Sequence, residues 1–136
     1  MSESQHHIDL VNVTLSYVRV IVPKGMESLI EVDNTIMVRP KKLSGDFIPD
    51  VFFWNNDLMI IGEAKTLNDF DRKHSQEQFC AYIEECNSFY GRAVLVIAVP
   101  WQLVAKAKNH FKILKTQMEC KSKVVILNEL GRLYEL

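Results

Sequence analysis

Two apolar runs separated by three polar residues constrain this chain more than anything else in it. Phe47–Trp54 and Leu58–Lys65 flank Asn55-Asn56-Asp57, and Asn and Asp at such a junction favour a tight reversal. The two runs therefore read as the strands of a hairpin. Side chains alternate along a strand, which puts Phe47, Val51 and Phe53 on one face and Ile48, Phe52 and Trp54 on the other. Strands that are apolar on both faces belong in the middle of a sheet covered by helices on both sides.

The rest of the chain supplies that cover. From about Ser4, Ile8, Val11, Leu15, Val18 and Val22 recur at helical spacing until Pro23-Lys24-Gly25 stops the helix. Leu29–Val32 and Thr35–Val38, joined by Asp33-Asn34, read as a first hairpin, with a loop over Pro40–Gly45. Ser75–Tyr90 reads as a helix whose apolar face is Phe79, Tyr82, Ile83, Cys86, Phe89 and Tyr90, ended by Gly91. Ala93–Val99 is a buried strand. Pro100 and Trp101 open a long helix with Leu103, Val104, Ala107, Phe111, Leu114 and Met118 as its core stripe. Lys123–Leu127 is a further strand, and Gly131 turns the chain into a short last segment. The expected order is α-β-β-β-β-α-β-α-β, an α/β fold with a mixed central sheet between helices. At 136 residues, 48% of them apolar, the chain fits one domain over 1–136 with a core that needs no staples.

Several function classes drop out. No apolar run is long enough to cross a bilayer, so no membrane partner is expected. The polar, histidine-bearing start is unlike a signal peptide, which makes the cytoplasm the default location. Cys80, Cys86 and Cys120 have neither the parity of a disulfide framework nor the spacing of a zinc site, and read as reduced thiols. Gly62-Glu63-Ala64-Lys65-Thr66 ends like a phosphate-binding loop but lacks its first glycine and its spacing. The formal net charge of −1 announces no nucleic-acid binder, yet Lys106, Lys108, Lys112, Lys115, Lys121 and Lys123 stand against a single Glu119. Lys108, Lys112 and Lys115 share a helical face, which is either a solvated surface or a track for phosphates.

The chemistry is in the central hairpin. Strands that should be dry carry Asp50, Glu63 and Lys65. Burying two neighbouring carboxylates is costly, and a divalent cation is the usual compensation. If Asn56-Asp57 is the loop, Asn55 faces Leu58 and Asp50 falls directly opposite Glu63, with Cβ atoms about 5 Å apart. A one-residue slip would send the two acids to opposite faces. Together they make a hard oxygen site suited to Mg2+ or Mn2+, to which the Ala64 carbonyl would add a ligand. Lys65 shares Glu63's face, where its charge would favour hydroxide and steady developing negative charge. Arg72, Lys73 and His74 end a polar segment leading away from this site and are candidates for phosphate contact. A solvated loop is the other reading of that segment.

Pro49-Asp50, twelve intervening residues and Glu63-Ala64-Lys65 together resemble the signature of the PD-(D/E)XK nuclease superfamily. The resemblance extends over most of the chain, and among subgroups it is closest to small stand-alone members such as VRR-NUC and Holliday-junction-resolvase-like proteins. It implies a restriction-endonuclease-like fold, Asp50 and Glu63 as metal ligands and Lys65 as the catalytic lysine. It also implies Mg2+ or Mn2+ as cofactor, DNA as partner and a homodimer, alone or within a larger assembly. Gln78-Phe79-Cys80-Ala81-Tyr82 matches the Gln-x-x-x-Tyr motif of RecB-like members, in which both polar residues lie near the active site and contact DNA. Equally, Ser75-x-x-Gln78 is a capping box and Tyr82 fits the core stripe. His7-Ile8-Asp9-Leu10 fits the His-x-x-Leu form of a first-helix ligand, with Glu3, His6, Asp9 and Glu27 as competitors for that role. The expected activity is a metal-dependent DNA endonuclease, with branched DNA or particular end structures as candidate substrates. The alternative is a nuclease-like module that binds nucleic acid or a partner protein without cutting.

Overall fold

A computed structural model describes residues 4–33 and 43–136. Its elements are α1 (Gln5–Ile21), β1 (Glu31–Val32), β2 (Val51–Trp54), β3 (Leu58–Ala64), α2 (Lys73–Ser88), β4 (Arg92–Ala98), α3 (Val104–Gln117), β5 (Lys123–Leu127) and β6 (Leu133–Glu135). Short 3-10 turns occupy Glu27–Leu29, Ser44–Asp46 and Trp101–Leu103. The six strands form one sheet in sequence order. β1, β2 and β3 pair antiparallel, β3, β4 and β5 parallel, and β6 returns antiparallel along β5. The molecule is therefore an α/β protein with a mixed sheet, and no described helix is long and apolar enough to cross a membrane.

The two crossovers, β3-α2-β4 and β4-α3-β5, link neighbouring parallel strands. Crossovers of one hand deliver both helices to the same face, where Phe79, Phe111 and Leu114 pack with Phe52, Met59, Ile61 and Leu95. α1 covers the other face, against Val51, Phe53, Ile60, Val94 and Val96. β3 is buried along its whole length, as expected of a strand apolar on both sides.

Several expectations shift. The expected strand Thr35–Val38 lies outside the described residues, and of its partner run only Glu31–Val32 is strand. Phe47 packs on the α2 face with Phe52, not with Val51 and Phe53. Regular strand begins only at Val51, so alternation does not extend back through Pro49. Tyr90 is exposed and stacks on Phe89. α2 ends before it, at Ser88, and Gly91 follows where a Cβ would stand 2.6 Å from the Asp57 carbonyl oxygen, an approach open only to glycine. Phe70, in the segment read as polar, is buried against Phe79 and fastens that segment to the core. The lysine stripe is largely engaged within the chain. Lys108 sits over the Tyr134 ring, Lys115 donates to the Leu136 carbonyl, and Lys106 and Lys123 pair with Asp71 and Glu135.

The buried line of α1 is Leu10, Thr14 and Val18, while Ile8 is exposed. Its seat is Gly62 on β3, where an added Cβ would lie 2.7 Å from the Thr14 methyl and 3.2 Å from the Val51 Cβ. Both neighbours are buried and β-branched, so neither yields easily. Gly62→Ala is expected to cost about 1–3 kcal/mol through overpacking, measured as a lower denaturant midpoint at unchanged slope.

Candidate functional site

The hairpin register decides whether the two acids meet. Val51 pairs with Gly62, Phe52 with Ile61, Phe53 with Ile60 and Trp54 with Met59. Continued by one residue, this ladder puts Asp50 across from Glu63, whose carboxylate meets Tyr82 of α2. The Asn55 side-chain oxygen accepts from the Asp57 and Leu58 amides, which fixes the turn that sets the register.

All four polar groups gathered here are nearly sealed from solvent, at 7% exposure for Asp50, 4% for Glu63, 7% for Lys65 and 6% for Gln78. Asp50 Oδ2 accepts the Ala64 amide at 2.9 Å and lies 3.4 Å from His7 Nε2. Glu63 Oε1 accepts the Tyr82 hydroxyl at 2.9 Å, and Glu63 Oε2 stands 3.5 Å from Lys65 Nζ. Lys65 Nζ also donates to Gln78 Oε1. The side chains thus form a continuous polar string from α1, across the sheet, to α2.

Burial and then the Asp50 carboxylate push the Glu63 carboxyl well above its ordinary range, against the opposing pull of Lys65 and Tyr82. Burial, followed by Glu63, likewise drives the Tyr82 hydroxyl upward, so it stays a donor. Tyr82→Phe removes the one uncharged donor that lowers the Glu63 carboxyl. Its titration, followed by carboxyl-carbon NMR, is expected to move higher still.

Gln78 and Tyr82 both turn toward the acids, as positions four apart on a helix can. The capping box does not form. α2 starts at Lys73 without a side-chain cap, and Ser75 Oγ donates to the Asp69 carbonyl. The basic group after the hairpin is looser. Arg72 bonds the Asn68 carbonyl and faces Asp69, while Lys73 pairs with Glu77 on the surface. His74 meets the Phe47 ring edge-on. None of the three has a described contact with the acids. Among the first-helix candidates, His7 is the one that reaches Asp50, since Ser4 caps α1 through the His7 amide and so starts the helix where His7 faces the sheet. Asp9 accepts from Gln5 instead. Glu27 lies in the 3-10 turn before β1, and Glu3 lies outside the described residues.

One acid was missed. β1 pairs with β2 as Val32 with Val51, and the next step sets Asp33 beside Asp50, whose carbonyl accepts the Asp33 amide at 2.9 Å. Asp33 is also close enough to act on the Tyr82 hydroxyl. Asp33, Asp50 and Glu63 therefore occupy one row across three adjacent strands. The cue was Asp33-Asn34, which reads equally well as a turn.

Two buried carboxylates in contact, with the Glu63 carboxyl raised by burial and then by Asp50, are a hard-oxygen donor pair that a divalent cation would relieve, so the residues fit such an ion. No group of three or more His, Cys, Asp or Glu placed to hold a metal ion occurs among the described residues. An ion here would complete its shell with water. No protein-family model, curated protein or solved structure matches the chain.

Proposed function

We propose that this protein is a metal-dependent endonuclease of the PD-(D/E)XK type, with a restriction-endonuclease-like arrangement of its sheet, that hydrolyses DNA phosphodiester bonds. The observation that carries the reading is the Asp50–Glu63 pair, sealed from solvent and bracketed by Lys65. A protein that only folds has no use for two touching acids in a dry sheet. Asp50, Glu63 and the Ala64 carbonyl would hold Mg2+ or Mn2+, with His7 or Asp33 as further ligands. Such an ion would supply Lewis acidity to the phosphate and lower the pKa of a coordinated water. Lys65, steered by Gln78, places its ammonium beside the reacting centre and balances charge that builds on the phosphoryl oxygens. Tyr82 fixes the Glu63 carboxylate from behind. Cutting both strands would call for two copies of the chain.

A second reading, a nuclease-like module that binds DNA or a protein without cutting, is favoured by the lack of a group of three convergent ligands among the described residues. A cleavage panel in Mn2+ against linear, nicked, flap, four-way and single-stranded DNA separates the two. Cleavage of any substrate that vanishes with chelator supports the enzyme. Binding of the same substrates with none cut supports the module.

A further inference from the structure

Beside the acid site, at the carboxyl ends of β3, β4 and β5, lies a separate cleft of about 410 Å³. Its walls come from the first turns of α1 and from the segments that follow those three strands, beginning with Thr66, the residue after Lys65. The volume falls in the range of small-molecule pockets.

The lining has a definite chemistry. Leu10, Leu67 and Pro100 give it aliphatic walls, Ser4, His6, Thr66 and Gln102 add polar groups, and no lysine or arginine is among its described lining residues. Asp9 and Glu129 bring carboxylates instead. Both are held in place: Asp9 Oδ1 accepts from Gln5, and both Glu129 oxygens accept the Trp101 amide at 3.0 and 3.2 Å. A carboxylate has about four acceptor sites, so each retains capacity toward the cleft. Trp101, between the lining residues Pro100 and Gln102 in the chain, is 66% exposed.

We infer that this cleft binds one unpaired, amino-bearing nucleobase of a nucleic acid whose phosphate lies at Asp50 and Glu63. The inference rests on the nuclease reading for the position of that phosphate. A planar base fits between aliphatic walls, and its exocyclic amino group is the donor two carboxylates want. A base held in a duplex stack cannot enter a cleft of this kind. The substrate is therefore DNA with an unpaired nucleotide next to the cut, not an intact duplex.

The test has two arms. In the first, deoxycytidine and thymidine are titrated into the isotope-labelled chain. Being uncharged, they report on the cleft without the acid site. Saturable shifts at Leu67, Gln102 and Glu129 with deoxycytidine, about tenfold weaker with thymidine, are expected. Gln102→Trp, an exposed substitution that fills the cleft, is expected to abolish them. Equal binding of the two nucleosides, no saturation, or shifts that survive Gln102→Trp overturn the inference. In the second arm, a duplex with one unpaired cytosine beside the cut is compared with its fully paired form. Faster cleavage of the former, lost in Gln102→Trp, is expected, and equal rates overturn the inference. Absence of cleavage on every substrate is a failure of the nuclease reading, and the nucleoside arm then decides the cleft by itself.

Discussion

Lys65→Met is expected to lower the proposed cleavage rate by on the order of 10²–10³-fold, the usual cost of losing one group that stabilises charge in the transition state. Methionine keeps the stem, so what disappears is the ammonium 3.5 Å from Glu63 and bonded to Gln78. Asp50→Ala and Glu63→Ala are expected to be as severe, because each removes one of the two buried carboxylates proposed to hold the ion. Cleavage of a substrate that the unaltered protein cuts is the readout, with the amide NMR spectrum as the control for folding. Wild-type rates in any of the three variants would remove that residue from the mechanism. Gln78→Ala is expected to be milder, since it frees the ammonium without deleting it.

The second large effect is on stability. The Glu63 carboxyl is raised in the folded protein, first by burial and then by Asp50. A raised acid keeps its proton in the fold after the unfolded chain has released its own. Its contribution to stability is therefore complete below the ordinary glutamate value of 4.5 and is lost as pH climbs through the higher folded value. The metal-free protein is expected to weaken as pH rises across that window. Glu63→Gln, which is never charged, flattens the dependence and leaves the metal-free fold more stable at neutral pH. The proposed divalent ion would reverse the balance, because it would pair with the ionised acids. At a concentration about a hundredfold above Kd, Mn2+ would add about 2.7 kcal/mol, a rise of several degrees in melting temperature. The rise should vanish in Glu63→Gln. Melting curves over pH, with and without Mn2+, check all of this. An unchanged curve on adding Mn2+ or Mg2+ argues against an ion at this site.

These effects depend on neighbours that lie far apart in the chain, which bears on how much a one-dimensional reading can reach. The hairpin was legible because its turn, its apolar runs and its register are all local. Asn55 facing Leu58 follows from the loop, and Asp50 opposite Glu63 follows from counting back. The helices α2 and α3 were legible for the same reason, as runs with helical spacing and stops written into the chain. The face of α1 was harder. Five apolar positions allow more than one buried stripe, and Gly62 on a distant strand selects the Leu10–Thr14–Val18 line. Phe47 was misplaced because alternation holds only where the backbone is extended and paired.

What the sequence determined by itself is the part set by near neighbours along the chain: the strand and helix runs, the β2–β3 register, and the meeting of Asp50 with Glu63 beside Lys65. The tertiary structure alone decided the rest. It chose Gln78 for Lys65 and Tyr82 for Glu63 over the capping box, brought His7 to Asp50, and set Asp33 in the same row. Backbone hydrogen bonding and side-chain periodicity are short-range and leave their mark in local spacing. The partner of a buried charge is chosen by which elements pack together, and packing is settled only when the whole core closes.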